Sequence, residues 1–195
     1  VGEQVFTPGW TAYLHRLQYQ TYDVTEMLKE GNNCVGVILG DGWYRGRLGW
    51  SKPRNLYGDK VALLAQIEVV YSDGSREVIA TDQSWKASTG PILMSDIYDG
   101  EVYDARLEID NWSKTGLDDG GGAGGTIVKH SKDIIVAPAG PAVKRIEEIK
   151  PVGVFETPAG EKIVDMGQNM VGWVRVKVKG AAGTHIKLRH AEVLD

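Results

Sequence analysis

The feature that most constrains the fold is a hairpin written in period two. Residues 61–71 (VALLAQIEVVY) end in the alternation Gln66, Ile67, Glu68, Val69, residues 72–75 (SDGS) supply turn chemistry, and residues 76–81 (REVIAT) return. Alternation at that period sends successive side chains to opposite faces of a sheet, and Asp-Gly between two such runs favours a tight reversal. Shorter runs of the same kind recur along the chain. Residues 14–24 read as a strand, residues 26–29 as a single helical turn stopped by Gly31-Asn32-Asn33, residues 34–39 (CVGVIL) as a buried strand, and residues 84–88 as a short strand with Trp85 facing the core. Residues 143–149, 153–157, 162–165, 173–179 and 185–191 continue the pattern, divided by turn signals at 158–160, 167–169 and 180–183. Short strands and turns from end to end, with no helix of any length, predict an all-β sandwich.

Residues 118–125 (DDGGGAGG) read as a flexible loop, which lacks the Lys and the strand-to-helix setting of a phosphate loop. Residues 137–141 (APAGP) are the best linker. This stretch separates residues 1–137, across a linker over 138–142, from the further alternating segments over 143–195.

Charge and composition exclude several function classes. Among 195 residues, Lys and Arg number 22 and Asp and Glu 26, a net charge of −4 with no basic stripe, which argues against a nucleic-acid partner. The run at 61–70 is interrupted by Gln66 and Glu68 and is too short for the roughly 20 residues of a membrane-spanning helix. Cys34 is the only cysteine, so an intrachain disulfide is impossible, and within an apolar run it reads as a packing residue. No signal peptide opens the chain, so a cytoplasmic location is expected rather than a secreted one, and Val1-Gly2-Glu3 reads as the inside of a strand-turn with sequence upstream.

Two segments carry candidate chemistry. Residues 39–50 (LGDGWYRGRLGW) crowd four glycines, two tryptophans, one tyrosine and two arginines together. Glycine lets backbones approach closely, while Trp43 or Tyr44 could stack on the C–H face of a sugar and Arg45 or Arg47 could donate to its hydroxyls. The same residues also suit a packing corner between strands. Residues 95–106 (SDIYDGEVYDAR) hold Asp96, Asp99, Glu101 and Asp104. Structural turns and salt bridges, sugar or calcium binding, and a catalytic pair all compete there; the spacing does not match a calcium loop, and carboxylates this close on one strand rarely straddle a glycosidic bond. His15, His130, His185 and His190 show no metal-ligand spacing, and no Gly-x-Ser-x-Gly elbow occurs.

Six segments in order, PGWTAY (8–13), YDVTEMLKEGNN (22–33), LGDGWYRGRLGW (39–50), RNLYGDKVALLAQIEV (54–69), SWKASTGPILMSDIYDGEVYDAR (84–106) and DMGQNMVGWVRVKVKGAAGTHIKLRHAEVLD (165–195), closely resemble the N-terminal region of bacterial α-L-rhamnosidases of glycoside hydrolase family seventy-eight. The resemblance implies a jelly-roll domain of the galactose-binding type, related in some members to a calcium-dependent rhamnose-binding module, followed by strands of a second β-sandwich. It also implies a downstream α/α barrel that hydrolyses terminal α-L-rhamnosides with inversion through two carboxylates, so the present chain is expected to be inactive alone. L-rhamnose-containing glycosides and the barrel are the implied partners. Strands that precede Val1 in the family are missing, so a second copy could pair with the exposed edge. On this reading Trp43 and Tyr98 stack, Arg45 donates, and Asp99, Glu101 and Asp104 accept hydrogen bonds, with calcium as the one implied cofactor, at Asp99 and Asp104. A purely structural module packed on the barrel, with no ligand, is the alternative.

Overall fold

The computed structural model describes residues 1–118 and 120–193; Asp119, in the predicted glycine-rich loop, and Leu194 and Asp195, in the last predicted segment, lie outside the described residues. The fold is all-β. Among the described residues its regular elements are strands apart from one four-residue helix and two 3-10 turns. The chain forms two compact units, Val1–Lys144 and Arg145–Asp195.

In the first unit β1 (Leu17–Gln18) runs parallel to β8 (Ile135–Val136), with Leu17 opposite Ile135. The predicted hairpin forms as β2 (Gln66–Val70) and β3 (Arg76–Ala80), antiparallel with Ile67 opposite Ile79. Its reversal needs Gly74, whose φ is +83°, a conformation a Cβ would resist. Asp73 Oδ1 accepts from Ser75 N at 2.8 Å and fixes the turn. Across the hairpin Arg76 Nη1 pairs with Glu68 Oε1 at 2.6 Å. β4 (Lys86–Ala87) pairs with β7 (Ala123–Gly124), and β5 (Ile92–Asp96) pairs with β6 (Gly100–Tyr103) through an irregularity between Ile92 and Met94. The unit closes on its own start: Gln4 bridges to Lys144, whose Nζ pairs with Glu3 at 3.0 Å. Among its described residues the second unit holds one hairpin, β9 (Gly153–Glu156) with β10 (Lys162–Asp165), closed by Thr157 N donating to Glu161 O at 2.9 Å.

The predicted helical turn is the 3-10 turn Thr25–Met27, and Asp23 Oδ1 accepts from both the N–H and the hydroxyl of Thr25 ahead of it. Other expectations are corrected. Residues 34–39 form no strand and are exposed, Cys34 included, because the chain there pairs with no neighbour and the Trp112 ring lies against Gly36, where a Cβ would be 2.4 Å from it. Only a two-residue strand, Leu17–Gln18, forms within 14–24. Residues 143–149, 173–179 and 185–191 form no strands among the described residues; alternation alone does not make a strand where no partner supplies the ladder. In the predicted glycine-rich loop, Ala123 and Gly124 are strand, since their backbones meet Ala87 and Lys86. Trp85 is half-buried rather than a core residue.

Among the described residues the buried apolar ones are Tyr13 and Leu48, 5% and 4% exposed. Tyr13 stands edge-on to Tyr57 and Tyr44, with centroids 5.0 and 5.7 Å away, and donates its hydroxyl proton to Gly9 O at 3.2 Å. Desolvation, then the neighbouring Tyr57, push the Tyr13 hydroxyl up to about 12. A raised pKa means that folding favours the protonated phenol, so this contribution to stability is whole below pH 10 and is lost as pH rises through about 12. Denaturant titrations between those limits are expected to show Tyr13→Phe losing less stability with rising pH than the parent; equal slopes would remove this role.

Candidate functional site

The site begins at α1 (Gly42–Arg45), one helical turn built from GWYR. Arg45 N donates to Asp41 O at 3.0 Å and Gly46 N to Gly42 O at 3.2 Å, which closes the turn. Gly42 enters it at φ +49°. Gly46 then leaves in an extended conformation, and a Cβ on it would lie 2.3 Å from Gly42 O and 3.0 Å from Asp96 Oδ2. Only glycine allows the backbone to pass this close to a carboxylate.

That carboxylate organises the site. Asp96 ends β5, and its side chain has no exposed surface. Oδ1 accepts from Tyr98 N and Asp99 N at 2.8 and 3.1 Å, which folds the turn into β6. Oδ2 accepts from Arg47 N at 2.7 Å and from Arg54 Nη1 at 3.0 Å. Burial alone would raise the Asp96 pKa, but the N–H groups of Arg47, Tyr98 and Asp99, with the Arg54 guanidinium, outweigh it and hold the carboxyl below its ordinary value. Residues 42 and 49 positions apart are thereby fixed on one carboxylate.

Charges extend outward from it in alternation. Arg47 Nε donates to Asp99 Oδ1 at 2.8 Å, Arg54 Nη2 donates to Asp41 Oδ2 at 3.1 Å, and Arg45 Nε lies 3.1 Å from Asp41 Oδ1, buried but out of line for a hydrogen bond. Three arginines against three aspartates leave the cluster neutral, which suits a neutral polyhydroxyl ligand better than an anion.

Aromatic rings sit beside the charges. Trp43 stacks on Trp10, with centroids 4.9 Å apart and planes at 11°, and meets Tyr98 edge-to-face at 6.1 Å. The Arg47 guanidinium lies over the Tyr98 ring, 4.9 Å from its centroid. Trp10 Nε1 donates to Tyr57 Oη at 3.0 Å, and Tyr57 stacks on Tyr44 at 6.3 Å.

Of the sequence-predicted residues, Trp43, Tyr98 and Asp99 come together here, and Arg45 joins them through Asp41 and Arg54. Arg47, rather than Arg45, touches both Tyr98 and Asp99. Arg45 instead borders a separate recess of about 650 Å³ with Asp59, Lys60, Val61 and residues 126–128. Glu101 stands on β6 opposite Ser95, exposed. Asp104 caps the 3-10 turn Ala105–Leu107 and makes a two-pronged pair with Arg106, 2.8 and 2.6 Å. Of the expected calcium pair, Asp99 pairs with Arg47 and Arg54 and Asp104 with Arg106, and among the described residues no group of three or more His, Cys, Asp or Glu converges. No helix among the described residues is long and apolar enough to cross a membrane.

Sequence reasoning missed Trp10, Asp41, Arg54 and the central part of Asp96. PGW and RNLYG gave no local sign of a site, because Trp10 meets Trp43 and Tyr57 at 33 and 47 positions away, and Arg54 meets Asp96 at 42.

Residues 1–147 match the α-L-rhamnosidase N-terminal domain, and residues 155–195 match the bacterial α-L-rhamnosidase concanavalin-like domain. An α-L-rhamnosidase of Streptomyces avermitilis is 43% identical over the whole of this chain and 19% of its own length, and one of Formosa agariphila 36% over the whole chain and 21% of its own length. The chain thus spans about a fifth of these curated relatives. Among solved structures, native α-L-rhamnosidase from Aspergillus terreus superposes with a TM-score of 0.81 at 43% identity, over 89% of this chain and 20% of that one. The Streptomyces avermitilis enzyme complexed with L-rhamnose superposes with a TM-score of 0.76 at 37% identity, over 87% of this chain and 16% of that one.

Proposed function

Because the chain belongs to the α-L-rhamnosidase N-terminal domain family, we propose that it is a non-catalytic β-module of an enzyme hydrolysing terminal α-L-rhamnosides, and that the aromatic cluster of Trp10, Trp43 and Tyr98, with Arg47 beside it, holds L-rhamnose. One observation carries the reading: fixed aromatic rings adjoin an arginine and an aspartate whose neutral pairing offers a donor and an acceptor side by side. A pyranose presents the matching pattern, an apolar C–H face rimmed by hydroxyls. The non-catalytic part follows from the carboxylates. A glycosidase acid must keep its proton near neutrality, whereas Asp96, the buried carboxylate of the site, is held below the usual range. Hydrolysis, with inversion, belongs to the downstream α/α barrel of the parent enzyme.

Titration calorimetry with L-rhamnose, with and without calcium, tests the binding. Heat of binding is expected, and Arg47→Ala is expected to weaken affinity about tenfold, the range for a charge-assisted contact. A calcium requirement that Asp99→Ala and Asp104→Ala abolish would support that pair as ligands. No heat in either condition overturns the reading and leaves a structural module that packs on the barrel. Release of nitrophenol from a nitrophenyl rhamnoside by this chain would overturn the non-catalytic assignment; none is expected.

A further inference from the structure

Resting on the sugar-binding reading above, we propose that the ring on which the sugar stacks is Trp10. Trp43, the obvious platform in the sequence, is already covered: Trp10 lies on one face at a centroid distance of 4.9 Å and an interplanar angle of 11°, and Tyr98 meets it at 79°. A pyranose cannot enter between two indoles in van der Waals contact. Trp10 has the opposite arrangement. One face rests on Trp43, and the residue remains 53% exposed. Its rotation is fixed because Nε1 donates to Tyr57 Oη at 3.0 Å. Tyr57 is itself held between Tyr44, stacked at 6.3 Å, and the buried Tyr13, edge-on at 5.0 Å. A bare, immobilised indole face loses little freedom on binding, which is the property a stacking platform needs.

The ligand class follows. Stacking on an indole selects a pyranose whose C–H bonds gather on one face, and a 6-deoxy sugar adds a methyl group where other hexoses carry a hydroxymethyl. The Trp10–Trp43 pair acts as a two-layer support, with Trp43 serving to hold Trp10 flat.

The test uses the whole chain with L-rhamnose as the probe. Intermolecular NMR cross-peaks are expected between the Trp10 indole protons and the sugar C–H protons, and Trp10→Ala is expected to weaken binding at least tenfold. Trp10→Phe, which keeps a smaller ring, is expected to weaken it severalfold. Trp50→Ala, fully exposed and outside the cluster, is expected to leave affinity unchanged. Because the cross-peaks are read on the unaltered protein, a Trp10→Ala chain that fails to fold does not block the result. Binding by the parent with cross-peaks confined to Trp43 or Tyr98, or with affinity unchanged in Trp10→Phe, overturns the assignment while leaving the sugar-binding reading standing. No binding by the parent overturns that reading instead.

Discussion

Asp96→Ala is expected to lower the stability of the first unit by about 3 kcal/mol, the upper cost of leaving donors without their acceptor. Four donors converge on this carboxylate, the N–H groups of Arg47, Tyr98 and Asp99 and the Arg54 guanidinium. Three of them are backbone groups that gain no new partner when the carboxylate goes. Asp96→Asn keeps the shape but replaces one acceptor oxygen by a donor facing donors, so it is expected to fall between the parent and the alanine variant. The pH dependence gives an independent reading. The folded pKa lies below the ordinary 3.8, so the stabilisation is complete above that value and is lost as pH falls through the lower folded pKa. Denaturant melts at falling pH are expected to show this acid-side loss in the parent and a smaller one in Asp96→Asn. A cost under about 1 kcal/mol for Asp96→Ala, within the range of an ordinary surface change, would remove Asp96 from its central place.

How much of this was legible in the sequence differs from element to element. The β2–β3 hairpin was legible because every signal agreed: Ile67 and Val69 alternate with Gln66 and Glu68, and Ser72-Asp73-Gly74-Ser75 specify the reversal. The β9–β10 hairpin and the helical turn after Asp23 were legible for the same local reasons. Residues 34–39 misled because CVGVIL carries the composition of a strand, while strand formation depends on a partner that composition does not name. At the site, residue types were legible but not the sides on which they lie. Arg45 and Arg47 are equally arginine, yet one ends α1 and turns to Asp41, while the other follows Gly46 and reaches Asp99 and Tyr98. Likewise LGDGWYRGRLGW and SDIYDGEVYDAR each looked like a site, and they are two halves of one.

Gly46→Ala is expected to damage both halves together. The residue's φ of −65° and ψ of 178° suit any amino acid, so the objection is space and not backbone strain. An alanine Cβ would meet Gly42 O at 2.3 Å and Asp96 Oδ2 at 3.0 Å. Neither neighbour can yield cheaply: moving Gly42 O opens the hydrogen bond that closes α1, and moving Asp96 disturbs the four donors gathered on it. Forced overpacking of this kind costs about 1–3 kcal/mol, with larger values where the neighbours are rigid, and the upper part of that range is expected here. Gly90→Ala is the matched control, since a Cβ there meets nothing within 4 Å, and it is expected to stay within about 0.5 kcal/mol of the parent. The two variants are compared by denaturant unfolding and by L-rhamnose titration. A Gly46→Ala chain as stable as the Gly90→Ala control would mean that α1 and the Asp96 turn are not in the close contact on which the joint site depends. A destabilised Gly46→Ala chain that still binds sugar with the parent's affinity would separate the scaffold from the binding face, and would place the ligand on the Trp10 side of the aromatic stack alone.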